Sequence, residues 1–534
     1  MKENFRIFRP LVALMAGWIP VVCGLTACKP ETIPEEKPFV RLLTGQTYQS
    51  RILKRSLNYS VLLPKEYEKS NSSFPVVYLL HGYGDDETSW YKWGLINYYV
   101  DQNEAATVPM IYVMPEGFNT YWVNKYNGNY PFMDVIVNEF VPTIDSLFRT
   151  IPDPQHRAVM GYSMGGYGAL ILPAKNPAVF KTGVVLSMSF RTDRQYIDEP
   201  QGVFDSQWGS VFGGIGTTGT ARLTDYYKEY SPFYFFRNSG NSSRQGQNYF
   251  FDCGDDEESL SEPNNQLHDL MRDLDIRHEY RVRNGGHSWD YWRKSLPEAL
   301  KYIGNAVRNL PYPDDPEEMD PGPEIPANRI IARHLEGSPL DFNIMVPPGY
   351  DSDTVRYPVI YVLHDRSVMT AARESQRLYS RMGSLIAGSS IPGTLVVEIP
   401  LPQNSISLED FQQVIRSVSG SFRTNPGRKH GLLIGNGEGG RLAFEFMPAC
   451  SGVVNACMLF DANLPDVPAI DVAVADWYLD ISDEGRNYLS YHALYMTLRA
   501  NEVNHEFRVR QGTPTHSSFL VGLFESGGFI KNHL

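Results

Sequence analysis

The sequence predicts an α/β protein with two domains in tandem, each built on a mostly parallel central sheet, the second a degenerate version of the first. Three observations lead there. Short apolar runs alternate with helix-length segments along the chain, the pattern of strands covered by helices. An acidic, proline-rich stretch divides the chain. The two sides of that stretch repeat one series of motifs in one order, and such internal repetition shapes the whole fold assignment.

Taken in order, residues 1–28 read as a targeting segment. Lys2, Arg6 and Arg9 precede an apolar run from Leu11 to Leu25, which ends in Leu25-Thr26-Ala27-Cys28. Small residues before a cysteine resemble a bacterial lipobox, in which Cys28 becomes the lipidated first residue of the mature protein. The expected location is the bacterial cell envelope, held by acyl chains on its periplasmic or cell-surface side. Residues 29–37 form a polar tether. Residues 38–310 form the first domain. Its strand candidates are Val76–Leu80, Met110–Val113, Arg157–Met160, Thr182–Leu186 and Asn248–Asp252. Residues 311–326, within the run LPYPDDPEEMDPGPEIP, form an extended linker. Residues 327–534 form the second domain.

The repetition is read directly. SLNYSVLLPKEYEKSNSSFPVVYLLHGYG in the first half is matched by SPLDFNIMVPPGYDSDTVRYPVIYVLHDRS in the second. HRAVMGYSMGGYGAL is matched by KHGLLIGNGEGGRLAF, YFFDCGDDEE by WYLDISDEG, and HEYRVRNGGHSW by HEFRVRQGTPTHSSF.

Composition narrows the function. A net charge of -13 with no basic stripe argues against a nucleic-acid partner. Of five cysteines, Cys23 leaves with the signal and Cys28 carries lipid; the remaining three make no disulfide framework and no zinc-type spacing. No cofactor and no metal are expected.

The chemistry sits in Gly161-Tyr162-Ser163-Met164-Gly165, between an apolar strand and a helical pattern. A G-x-S-x-G in that context is a nucleophile elbow, and its glycines permit a turn too tight for side chains. A serine hydroxyl needs a base, usually a histidine oriented by a carboxylate, in the chain order Ser, acid, His for α/β-hydrolases. His287, in Gly285-Gly286-His287-Ser288-Trp289, is the expected base. The acid lies in Asp252-Cys253-Gly254-Asp255-Asp256-Glu257-Glu258, where several carboxylates compete. The oxyanion hole is expected from the backbone N–H groups of Met164 and of Tyr83, in the loop His81-Gly82-Tyr83-Gly84. His81 is expected to make a structural hydrogen bond. Trp90, Trp289 and Trp292 are candidates to line the acyl pocket, or else core aromatics.

With LLHGYGDDETSW, GYSMGGYGAL, DCG and GGHSWDYW in hand, residues 38–310 resemble the esterase D family, which includes carbohydrate esterases of the feruloyl and acetyl-xylan type. The resemblance implies an α/β-hydrolase fold and ester cleavage through an acyl-enzyme. It places the acid at Glu257, three residues after the glycine of a C-G-x-x-D pattern, with Asp256 as rival. About 60 residues between the strands near Val184 and Phe251 hold Trp208, Phe212 and Phe233-Tyr234-Phe235-Phe236. They suit an aromatic acyl pocket or a lid packed by its own rings.

The second half is expected to be inactive. Gly437 stands where Ser163 stands, Asp365 replaces Gly82 beside His364, and His516 survives approximately in place of His287. The expected activity of the whole is release of feruloyl or acetyl groups from plant polysaccharide. The alternatives are hydrolysis of a siderophore or other small ester in the envelope, and a surface glycan-binding lipoprotein.

Overall fold

The computed structural model describes residues 41–534, apart from 239–245, 258, 314–317, 367–369, 402–405 and 466–470. The targeting segment, Cys28 and the tether lie outside the described residues. Among the described residues, no helix is long and apolar enough to cross a membrane.

Eight strands belong to the first half: β1 Leu42–Ser50, β2 Arg55–Leu62, β3 Val76–Leu80, β4 Ile111–Pro115, β5 Arg157–Tyr162, β6 Thr182–Leu186, β7 Asn248–Gly254 and β8 Glu279–Arg283. Eight belong to the second: β9 Ile330–His334, β10 Asp341–Met345, β11 Val359–His364, β12 Leu395–Pro400, β13 Gly431–Asn436, β14 Ala456–Phe460, β15 Asp476–Ser482 and β16 His505–Arg510. The expected strands fall within a residue or two of these bounds at their starts. β3 shows why they form. Val76, Tyr78 and Leu80 face one core while Val77 and Leu79 face another. A strand covered on both faces reads as an unbroken apolar run.

Tandem sheets were expected; the structure joins them into one. The order is β1-β2-β4-β3-β5-β6-β7-β8-β16-β15-β14-β13-β11-β12-β10-β9. The inner strands of each half are parallel, and β1, β2, β9 and β10 are the antiparallel outer ones. Outward from the junction the two halves have the same strand order. β8 and β16 meet antiparallel at Val282 and Val509, which relates the halves by a local two-fold axis. Residues 41–534 form one compact unit. The core on one face of the sheet runs through both halves, while the other face carries a separate core for each. The described parts of the linker are docked: Tyr312 is buried against Tyr302 and Ile325 enters the second-half core.

Reciprocal ion pairs cross the junction. Asp255, after β7, accepts from Arg508 Nη1 at 2.7 Å and from the Phe507 N–H at 3.0 Å. Asp483, after β15, accepts from Arg281 Nη1 at 2.6 Å and from the Tyr280 N–H at 3.4 Å. All four side chains are buried, so each carboxylate needs its guanidinium partner.

Candidate functional site

The site is built where β5 ends. Ser163 follows Tyr162 with φ +58° and ψ -120°, a conformation L side chains rarely adopt, and the helix Met164–Lys175 starts at the next residue. The surrounding glycines are required by contact. A Cβ on Gly161 would lie 2.1 Å from the Gly165 carbonyl oxygen, and one on Gly165 would lie 2.2 Å from that of Leu80. The turn can therefore close only without those side chains, and it lifts Ser163 Oγ above the strand ends.

His287 Nε2 lies 2.9 Å from Ser163 Oγ, and His287 Nδ1 lies 2.7 Å from Glu257 Oε2. Nδ1 donates to the carboxylate, which leaves Nε2 as the acceptor facing the serine hydroxyl. The Glu257 side chain is fully buried, whereas the His287 ring is 39% exposed. The carboxylate is held on its other oxygen by Ser187 Oγ–H, and the Gly254 N–H reaches the same oxygen at 3.4 Å. Ser187 Oγ in turn accepts from the Trp292 indole N–H at 2.8 Å. Between the two acid candidates the geometry selects Glu257. Among the described residues no side-chain hydrogen bond involves Asp256. Asp255 is turned the other way, toward the second half.

Two loops carry the acid and the histidine, and they are locked together. The Asp255 N–H donates to Arg283 O at 3.1 Å, the Asp256 N–H to Gly285 O at 3.2 Å, and the Gly285 N–H to Asp255 Oδ1 at 3.1 Å. A Cβ on Gly254 would sit 1.9 Å from Gly285 O, so the loops touch backbone to backbone.

In the loop after β3, Tyr83 is 41% exposed and its ring lies 6.3 Å from that of Tyr121. The N–H groups of Tyr83 and Met164 have no partner among the described residues. His81 is fully buried: its Nδ1 lies 2.8 Å from Gly82 O, and its Nε2 accepts from the Gly117 N–H at 2.8 Å. Both ring nitrogens are spent on backbone, which is the structural role expected.

Two tryptophan assignments change. Trp90 has no exposed surface and gives its indole N–H to Leu80 O at 3.0 Å, so it is core and reaches no substrate. Trp292, also buried, packs edge-on to His287 at 4.9 Å and supports the acid through Ser187. Trp289 is half-buried and stacks edge-on against Tyr162 at 4.4 Å. The described rings of the segment between β6 and β7 pack on one another and on Tyr121 and Tyr167. Phe190, Tyr196, Phe204, Trp208, Phe212 and Tyr227 are all fully buried. Among the described residues no metal-ligating cluster surrounds Ser163.

The corresponding region of the second half is built differently. Gly437 has φ +52°, and a Cβ there would lie 2.5 Å from Asp365 Oδ2. That carboxylate accepts the Glu438 N–H at 2.8 Å, the amide in the position of Met164. His516 does not take the place of His287. Thr515 caps the helix His516–Glu525 as Ser288 caps the helix Trp289–Val307. His516 is thus the first helical residue, in the position of Trp289, and Pro514 takes that of His287.

Residues 50–303 match the family described as "Putative esterase". An esterase of Mycobacterium tuberculosis is 35% identical over 120 residues, which are 22% of this chain and 25% of that protein. An endo-1,4-beta-xylanase/feruloyl esterase of Xylanibacter ruminicola is 31% identical over 144 residues, 25% of this chain and 20% of that one. The chain thus spans a quarter or less of the length of these two relatives. A solved ferulic acid esterase structure is 26% identical with a TM-score of 0.42, covering 50% of this chain and 98% of its own. Over residues 50–303 the chain carries a domain of the esterase family.

Proposed function

We propose that this protein is a serine carboxylic-ester hydrolase that works through an acyl-enzyme and releases feruloyl or acetyl groups from plant polysaccharide such as xylan. The observation that carries the reading is the continuous relay from Ser163 through His287 to the buried Glu257, at 2.9 and 2.7 Å. His287 Nε2 takes the proton as Ser163 Oγ attacks the ester carbonyl. Glu257 holds the ring's tautomer and stabilises the imidazolium. The Tyr83 and Met164 N–H groups receive the negative oxygen of the tetrahedral intermediate. His287 then gives that proton to the sugar oxygen as its bond to the acyl carbon breaks, the sugar leaves as the alcohol, and water repeats the sequence on the acyl-enzyme. The polysaccharide assignment leans on the relative from Xylanibacter, whose name joins a xylanase to a feruloyl esterase.

In this reading residues 327–534 turn over no ester. Gly437 offers no nucleophile, and the Asp365 carboxylate fills the place an oxyanion would need. Cys28 carries the lipid anchor that keeps the enzyme on the envelope.

The test is soluble protein lacking residues 1–28, beside Ser163→Ala, on methyl ferulate, an aryl acetate and acetyl-xylan. Activity abolished by Ser163→Ala supports the esterase, and the ferulate-to-acetate ratio ranks the acyl groups. A folded wild-type protein that turns over none of the three overturns the polysaccharide reading, in favour of a siderophore ester or a glycan-binding role.

A further inference from the structure

The same position in the two halves holds a histidine with two different fates. His81 at the end of β3 spends both ring nitrogens on backbone groups. His364 at the end of β11 is equally buried, but its Nδ1 lies 2.8 Å from Glu398 Oε1 and its Nε2 has no partner among the described residues. Glu398 comes from the middle of β12 and has no exposed surface. It also accepts from Ser375 Oγ–H, Tyr379 O–H and Asn343 Nδ2. Surrounded by donors, it can only accept, so Nδ1 carries the proton and the orphaned Nε2 presents a lone pair. A buried unpaired nitrogen costs roughly the strength of a hydrogen bond, and such a group asks for a ligand.

The His516 ring lies 5.3 Å from that of His364, centroid to centroid. Both nitrogens of His516 are buried without a partner among the described residues. Glu374, in the first turn of the helix Ala371–Ala387, completes a group of three in which one ligand atom from each lies within 4.8 Å of the others. The group borders a cavity of about 650 Å³ that Asp365, Asn436, Gly437 and Asp461 also line. It occupies the place in the second half that the Ser163 site occupies in the first.

We propose that His364 Nε2, His516 and Glu374 bind a divalent cation of the zinc class. Two neutral imidazoles and one carboxylate are the donors that borderline cations prefer, at about 2.0–2.2 Å from the metal. Ligand atoms around a tetrahedral ion stand ~3.4 Å apart, so small side-chain rotations close the site from its present span. The Glu398–His364 pair is the outer carboxylate that fixes a ligating histidine's tautomer and orientation. Charge also fits: the guanidinium groups of Arg366, Arg377 and Arg486 stand against the carboxylates of Asp365, Glu374, Glu398, Asp461 and Glu484. The remaining coordination positions open toward the cavity, where water completes the shell.

The experiment uses the tag-free full chain, treated with chelator, dialysed, and titrated with ZnCl2 by calorimetry and with CoCl2 by visible absorption. One Zn2+ per chain is expected, with a cobalt spectrum of nitrogen and oxygen donors lacking thiolate charge transfer. His516→Ala and Glu374→Gln should each weaken binding at least ~10-fold, and Ser163→Ala should leave it unchanged. His516 is only half-buried, so its variant is expected to keep the native near-ultraviolet dichroism and remains decisive where a His364 variant fails to fold. Absence of stoichiometric binding by the folded chain at ~100 times a micromolar dissociation constant overturns the proposal. So does wild-type affinity in folded His516→Ala, or a thiolate spectrum, which would place the ion at the cysteines.

Discussion

Replacing Arg508 by Met should damage the first-half site from the second half. Asp255 accepts three hydrogen bonds: from the Arg508 guanidinium, from the Phe507 N–H and from the Gly285 N–H. Its side chain is 3% exposed and that of Arg508 10%. Methionine preserves most of the volume and removes the charge, so the carboxylate stays buried with two neutral donors. Breaking one side of a buried pair costs ~3–5 kcal/mol. The loss lands two residues from Glu257 and, through Gly285, two residues from His287. A displacement of ~1 Å in a reacting pair costs up to ~100-fold in rate. The expected result is ~3–5 kcal/mol less stability in urea and kcat lowered ~10–100-fold on an aryl acetate, with KM nearly unchanged. Adding Asp255→Asn should recover part of the stability, since removing both charges is far milder than removing one. Arg508→Met with under ~1 kcal/mol of loss and wild-type kcat would refute the idea that the second half holds the acid loop in place.

Glu257→Gln should lower kcat by ~10⁴ with little change in KM, while Asp256→Asn stays close to wild type; steady-state kinetics on both variants separates the rival acids. Gly165→Ala should abolish soluble expression, because its Cβ would meet Leu80 O at 2.2 Å, whereas Gly202→Ala meets nothing within 4 Å and should be silent. Burial pushes the Asp461 carboxyl up to about 7, only partly offset by the Ser482 N–H and hydroxyl. A raised carboxyl value means that the folded state binds the proton more tightly than the unfolded one. Its contribution is fully present below the unfolded value near pH ~4 and is lost as pH rises through about 7. Asp461→Asn, which can keep both hydrogen bonds, should therefore stabilise the protein above pH 7, by at most ~4 kcal/mol at ~1.4 kcal/mol per pH unit. It should change nothing near pH 4, and urea titrations at the two pH values decide it.

Much of this was legible in residue order because the determinants are local. The strands around the site are apolar runs with both faces buried, and the elbow is five consecutive residues whose glycines are forced by backbone contact. The residues alone leave Glu257 as one of several neighbouring carboxylates, and only the family resemblance ranks it above Asp256. What singles it out is the approach of Gly254 to Gly285, which turns Asp255 away and Glu257 toward the histidine, and that meeting joins segments 31 residues apart. Ser187 carried no signal beyond its place just after a strand; its role depends on Trp292, brought over by a distant helix. Trp90 and Trp289 look alike in sequence, and only the packing of the loop after β3 decides that the first has no exposed surface. His516 stands two positions beyond the place of His287 because a helix cap, not the histidine, sets the register at that point.

The two halves differ most where the chemistry lies and least where they touch. Ser163, Gly82 and His287 of the first half correspond in position to Gly437, Asp365 and Pro514 of the second. At the junction the pairs Asp255–Arg508 and Asp483–Arg281 are reciprocal. The Gly285 N–H caps Asp255 as the Gly512 N–H caps Asp483 at 2.7 Å. Arg283 and Arg510 each reach a buried aspartate of the neighbouring strand, Asp252 and Asp480. A buried ion pair is weak support for stability as such, but it is demanding about register. Here the register matters because β8 would otherwise be an edge strand, exposed to pairing with another chain. Antiparallel pairing with β16 occupies that edge, and the crossed ion pairs fix it at Val282 and Val509. Through Asp255, the contact that joins the halves also holds the turn carrying Glu257. The second half, with glycine at the place of Ser163, therefore contributes to the first-half site through this junction.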